Sequence, residues 1–320
     1  MKGKGKLKNN KNAVKLLLFT AELAAGFVFS GTHMSGASAF ADISIAGAAE
    51  LAGSAAVFTG SLLYSFISGT IGSNIVKLAA MVLILIAKLL MENKRDPLSC
   101  GVFTAVCVLL SGTAVSAIIG EFIYKLVFYV FYSTLAGFTA YSLSRIANDI
   151  KSGASADLTY CSGCFYAIVY TIYTASLCSV AFSPVNIGVM LGTAVTVMAA
   201  YFYGITGGVI CGTLSACAAF LASAETGMTA VLLPATGLFT GYLPRKNSSV
   251  SAGIFCIVGF MLMILTGMTE KGIEVMLNLI LGAGISIAAS AYYSDKRIRT
   301  AGQYVREGAA GISDAFSSAV

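Results

Sequence analysis

Charge is what this sequence has least of. Only 11% of its 320 residues are Asp, Glu, Lys or Arg, against roughly 25% in a soluble domain, and that shortage excludes a soluble globular protein. Proline occurs four times and histidine once. The single histidine, His33 in Gly31-Thr-His-Met-Ser-Gly36, has no partners in the sequence for a zinc site or a catalytic dyad, and it reads as a loop residue. No G-x-x-x-x-G-K-[ST] loop is present to cradle nucleotide phosphates, and no nucleophile motif appears.

What remains is strongly apolar: 57% of the residues are hydrophobic and 34 are glycine. Apolar runs recur from residue 13 to residue 293, most of them about 17 to 25 residues long, the length that crosses a hydrocarbon core of roughly 30 Å. The runs are continuous rather than alternating, and a backbone facing lipid must satisfy its hydrogen bonds within each span, which excludes a β-barrel. The expected fold is therefore all-α, a polytopic helical membrane bundle in contact with the lipid bilayer. About twelve segments are expected, at 13–30, 37–52, 53–69, 74–91, 99–119, 121–145, 160–182, 185–203, 205–223, 227–243, 249–268 and 272–293.

The formal charge of +6 speaks about orientation, not about nucleic acid. Basic residues cluster in five places: the tail at 1–12; Lys88 with Lys94 and Arg95; Arg145 with Lys151; Arg245 with Lys246; and Lys296 and Arg297 with Arg299 and Arg306. The positive-inside rule puts all five on the cytoplasmic side. The intervals between them hold four, two, four and two segments, all even, so both termini are expected inside. Segments 37–52 and 227–243 are short and rich in small residues, and a re-entrant pair in either four-segment interval leaves ten crossings rather than twelve. Ala37-Ser-Ala39 also resembles a signal-peptide cleavage site, but it lies beyond the usual 15 to 30 or so residues, which favours a retained first span.

Gly204, Gly208, Gly212 and Ala216 stand four apart, and Gly237 and Gly241 repeat the spacing, the pattern that lets membrane helices approach closely. Phe58-Thr-Gly-Ser-Leu62 and Phe239-Thr-Gly-Tyr-Leu243 echo each other, although five residues do not establish a repeat. Ionisable residues in or near spans are Glu22, Asp42, Glu50, Lys77, Glu121, Lys125 and Glu225, of which Glu22 and Asp42 lie deepest and are the candidates for a proton or ion site. Most of the others fall near segment ends, where they reach the headgroups, and Glu121 with Lys125 forms a favourable i, i+4 pair. Cys161-Ser-Gly-Cys164 has no second C-x-x-C beside it, and the remaining cysteines read as small buried thiols. After Tyr293, residues 294–320 read as an amphipathic helix leaving the membrane, so the domains are a tail at 1–12, a membrane domain at 13–293 and this exit or linker helix.

The run Thr236-Gly-Leu-Phe-Thr-Gly-Tyr-Leu-Pro-Arg-Lys-Asn-Ser-Ser-Val-Ser-Ala-Gly-Ile-Phe, the earlier Phe58-Thr-Gly-Ser-Leu-Leu-Tyr-Ser-Phe-Ile-Ser-Gly-Thr-Ile-Gly with Lys77-Leu-Ala-Ala behind it, and the exit helix to Phe316 resemble the membrane region of the stage II sporulation protein E family. The resemblance implies a many-span anchor followed by a cytoplasmic linker and a protein phosphatase 2C-like domain holding manganese on aspartates. It implies dephosphorylation of an anti-sigma factor antagonist, activation of the first forespore sigma factor, and placement at the polar division septum with the tubulin-like division protein as partner. This chain departs from the family pattern by stopping in the linker, so no residue here carries the phosphatase role: within the chain no catalytic residue, cofactor or metal is expected, and the expected role is anchoring, localisation and assembly into a homo-oligomer. The other reading is a small-solute transporter or its membrane subunit, motivated by the short segments and the Phe-Thr-Gly echo.

Overall fold

The computed structural model describes residues 3–34, 37–38, 40–90, 96–119, 122–152, 160–182, 184–243, 247–267 and 272–292. Apart from two-residue strands β1 (His33–Met34), β2 (Ala37–Ser38), β3 (Ala181–Phe182) and β4 (Val185–Asn186), the described elements are helices. The chain divides into two compact units, Met1–Thr32 with Ala37–Ser152, and His33–Gly36 with Gly153–Val320. The basic N-terminal tail, the exit segment 294–320 and the residues Lys94, Arg95, Arg245, Lys246, Lys296 and Arg297 lie wholly or in their side chains outside the described residues.

The first unit contains α1 (Gly3–Ser30), α2 (Ala41–Ala48), α3 (Leu51–Ile67), α4 (Ile71–Leu90), α5 (Pro97–Ile119) and α6 (Phe122–Ser152). The segment expected at 37–52 is thus no single span: α2 has eight residues and rises only about 12 Å at 1.5 Å per residue, less than half a bilayer core. It is nonetheless in the core, with Ala41, Ile43 and Ala46 almost fully buried. Close approach of α1 and α3 depends on glycine, because a Cβ on Gly26 would strike the Val57 backbone and one on Gly60 would strike the Leu23 carbonyl. With Gly53 on Glu22, Gly26 on Val57 and Gly31 on Tyr64, the contacts rise together along both helices, so α1 and α3 run parallel and α2 is the descending link between them. In the same way Gly101 abuts Gly137 and Tyr141, and Gly112 abuts Tyr129, which fixes α5 and α6 as an antiparallel pair.

The second unit contains α7 (Tyr160–Cys178), α8 (Ile187–Ala222), α9 (Ala224–Ala230), α10 (Leu233–Tyr242), α11 (Ser248–Leu265) and α12 (Gly272–Tyr292), with β3 and β4 paired antiparallel between α7 and α8. α8 is not a rod. Gly204 sits at φ 71°, ψ −145°, a conformation open to glycine and strained for other residues. The arms on either side, 187–203 and 205–222, fold back on each other, so that Gly192 packs on Ser215 and Gly208 on Ala200. Gly204 is therefore the reversal itself as well as a packing residue, and the arms coincide with the two segments expected at 185–203 and 205–223. The second arm then packs antiparallel on α10, with Gly204 against Gly241, Gly208 against Gly237, and Gly212 against Leu233 and Pro234. The segment expected at 227–243 is broken at residues 231–232 into α9 and α10.

Among the described residues, six helices are long and apolar enough to cross a membrane: Ile71–Leu90, Pro97–Ile118, Leu126–Asp149, Ile187–Ala222, Ser248–Leu265 and Gly272–Ser290. Shorter apolar helices occupy Leu16–Ser30, Leu51–Ile67 and Gly163–Cys178. The number falls below the twelve sequence segments because α8 joins two of them, because α2, α9 and α10 are short, and because the apolar helices at 16–30, 51–67 and 163–178 fall below the 18-residue length. Leu16, Phe66, Leu90, Ile118, Val127 and Leu265 each leave half or more of their surface uncovered, as lipid-facing side chains do. The chain is a multi-pass helical membrane protein.

Candidate functional site

Buried charge concentrates in the first unit. Asp42, the second residue of α2, is fully buried, and Lys77, two turns into α4, is 3% exposed. Position in the sequence placed Lys77 at a segment end, reaching for headgroups; the structure turns it inward, where its Nζ donates to the Ser30 carbonyl at 3.2 Å. Ser30 Oγ donates to the Ser61 carbonyl at 3.4 Å. Ser61 Oγ lies 3.1 Å from the Gly26 carbonyl and 3.4 Å from Asp42 Oδ2, so its proton is shared between them. The Ile43 amide donates to Asp42 Oδ1 at 2.9 Å. The result is a continuous polar path from ammonium to carboxylate through the ends of α1 and α3, with Lys77 and Asp42 attracting each other across it. Two opposite charges in a low-dielectric interior repay part of their desolvation only when so connected.

A second charged centre lies where α2 turns into α3. Lys88 Nζ donates to the Ala46 carbonyl at 2.7 Å, to the Ala49 carbonyl and to Ser54 Oγ at 2.8 Å, using all three of its protons. It sits at the C-terminal end of α2, where free carbonyls and the helix dipole both favour a cation. Glu22, packed over Gly53, attracts it from α1. Counting Lys88 with the basic loop markers therefore misses its role; its spacing of eleven residues from Lys77 along one helix was the only signal that both face the core.

The second unit buries polar groups without full charges. Asn186 caps α8 by accepting from the Val189 amide at 3.1 Å, ties α7 by donating to the Cys178 carbonyl at 2.7 Å, and donates its own amide to Asn278 Oδ1 at 2.9 Å. Tyr170 and Ser215 share a hydrogen bond of 2.6 Å. Ser176 Oγ, Thr193 Oγ1 and Asn278 Nδ2 are buried with no protein partner.

The structure brings Glu22 and Asp42 into one unit, but on different cations. Gly208, Gly212, Gly237 and Gly241 form the expected close seam. Glu225 is exposed in the first turn of α9. The side chains of His33, Glu121, Lys125 and Cys161 lie outside the described residues, and Cys164 is free and exposed. Among the described residues, no three His, Cys, Asp or Glu side chains gather as metal ligands. No protein-family model, curated protein or solved structure matches the chain.

Proposed function

We propose that the chain is the anchoring, localising and self-assembling membrane domain of a sporulation phosphatase of the stage II sporulation protein E type, acting at the polar septum. The observation that supports this reading is where the resembling run falls. Residues 236–255 comprise most of α10, the basic pair Arg245-Lys246 and the start of α11, and α10 is the helix whose glycines seat directly on backbone of the second arm of α8. Such backbone-to-backbone contact suits a rigid platform that carries cytoplasmic parts. In this reading the five basic clusters hold both termini in the cytoplasm, with ten or twelve crossings. The phosphatase with its manganese, the anti-sigma factor antagonist and the division protein belong to cytoplasmic regions that the platform positions.

A fluorescent fusion of residues 1–320, expressed in a sporulating bacterium, tests it. Concentration at polar septa is expected, together with a coding region for a metal-dependent phosphatase downstream or adjacent. Uniform membrane labelling contradicts the localising role.

A second reading, a small-solute transporter, draws on the short buried helix α2 and the broken α9–α10, since discontinuous helices and buried charge line many transport sites. Substrate-dependent thermal stabilisation of the purified protein would favour it over the first.

A further inference from the structure

The two units share one plan. In chain order each half begins with a helix and a pair of two-residue strands, continues with a descending and an ascending helix in contact, then a fourth helix antiparallel to the third, and ends with two more. α3 begins at Leu51 and the second arm of α8 at 205; α4 begins at Ile71 and α9 at Ala224; α5 begins at Pro97 and α11 at Ser248; α6 begins at Phe122 and α12 at Gly272. These starts differ by 154, 153, 151 and 150 residues (205 less 51, 224 less 71, 248 less 97, 272 less 122). One pairing recurs at a closely similar place: Ser54 meets Ala46 across α2 and α3, as Gly208 meets Ala200 across the arms of α8.

Residues agree at a displacement of 152 (253 less 101, 297 less 145). Val57, Gly60 and Leu62 match Val209, Gly212 and Leu214. Ser99, Gly101, Phe103, Val106 and Leu110 match Ser251, Gly253, Phe255, Val258 and Leu262. Tyr141-Ser-Leu-Ser-Arg-Ile146 matches Tyr293-Ser-Asp-Lys-Arg-Ile298 at four of six positions. The Phe-Thr-Gly echo is not part of this pattern, because it joins positions 181 apart (239 less 58).

We infer that the chain is a tandem duplication of one six-segment unit, and that the Asp42–Lys77 pair is a functional addition which the fold of that unit does not require. The second copy is the internal control. Lys77 corresponds to Thr229, which is equally buried at 4% exposed. The first arm of α8, which corresponds to α2, contains no Asp, Glu, Lys or Arg. The corresponding region of the second copy therefore packs without the pair. A buried ion pair replaced by apolar or small residues is commonly neutral for stability, whereas one half of it left alone is costly, so retention of both charges points away from packing. Lys88 is different: it caps α2, a helix end that the second copy replaces with the Gly204 reversal.

The test gives the first copy the residues of the second in the full chain, as Asp42→Ala with Lys77→Thr. The double variant is expected to purify folded and to melt within a few degrees of the wild type, while each single variant melts lower. In a strain lacking the gene, the double variant is expected to behave like the deletion, whichever phenotype that deletion has, so the outcome does not depend on the septal reading. A double variant that restores the wild-type phenotype overturns the functional role. A double variant that fails to fold overturns the claim that the unit does not require the pair.

Discussion

At the turn between its second and third helices, the first unit places an ammonium, Lys88, on two free carbonyls and a serine hydroxyl. At the corresponding turn the second unit places Gly204, and the helices beyond it close on glycine: Gly208 on Gly237, Gly241 on Gly204. One copy holds its centre by charge-assisted hydrogen bonds and the other by the absence of side chains. Both solve the same problem of joining helices where lipid removes the hydrophobic effect as a driving force. The glycine solution tolerates no added atom and the charged solution tolerates no lost one. The two units should therefore fail differently.

The largest expected effect is Gly208→Leu, because even a Cβ there would strike the Gly237 carbonyl. A loss of roughly 3 kcal/mol or more, enough to abolish a monodisperse peak in size-exclusion chromatography, is expected. Lys88→Met comes next: it strips the Ala49 carbonyl of its side-chain donor and leaves the Ala46 carbonyl with Ser54 alone, at about 1 to 3 kcal/mol, seen as a lower melting temperature that Lys88→Arg partly restores. Ser61→Ala is expected to cost about 1 kcal/mol by breaking the path between Asp42 and Ser30, and no loss would mean that the path is not energetically connected. The smallest effect has the opposite sign. Thr193→Val removes a hydroxyl with no protein partner and should be neutral or stabilising by up to about 1 kcal/mol; a clear destabilisation would indicate a water or ligand on that hydroxyl.

Much of the helix plan was legible because span length and hydropathy are properties of the chain alone. The segments at 185–203 and 205–223 are the arms of α8, and 37–52 and 227–243, distinguished by their small residues, are the places where helices are short or broken. Direction was less legible. Lys77 and Lys88 near the ends of a span look interfacial in one dimension, and only the position of α2 and the end of α1 explains why both turn inward. Gly204 fits a four-residue glycine ladder equally well as a packing residue or as a reversal, since both uses need the missing side chain. The duplication is faint in the sequence because its identities are scattered among apolar residues that interchange freely, whereas the five-residue echo is compact but lies outside the repeat.

The reversal at Gly204 also bears on how the protein is made. From Ile187 to Ala222 the chain offers the insertion machinery 36 residues without one Asp, Glu, Lys or Arg to mark where one crossing ends and the next begins. Neither arm carries its own instruction about which way to face. Charge signals for their orientation are therefore confined to the residues that flank the pair. A charge introduced beside Gly204 would then disturb assembly before it disturbed the finished structure.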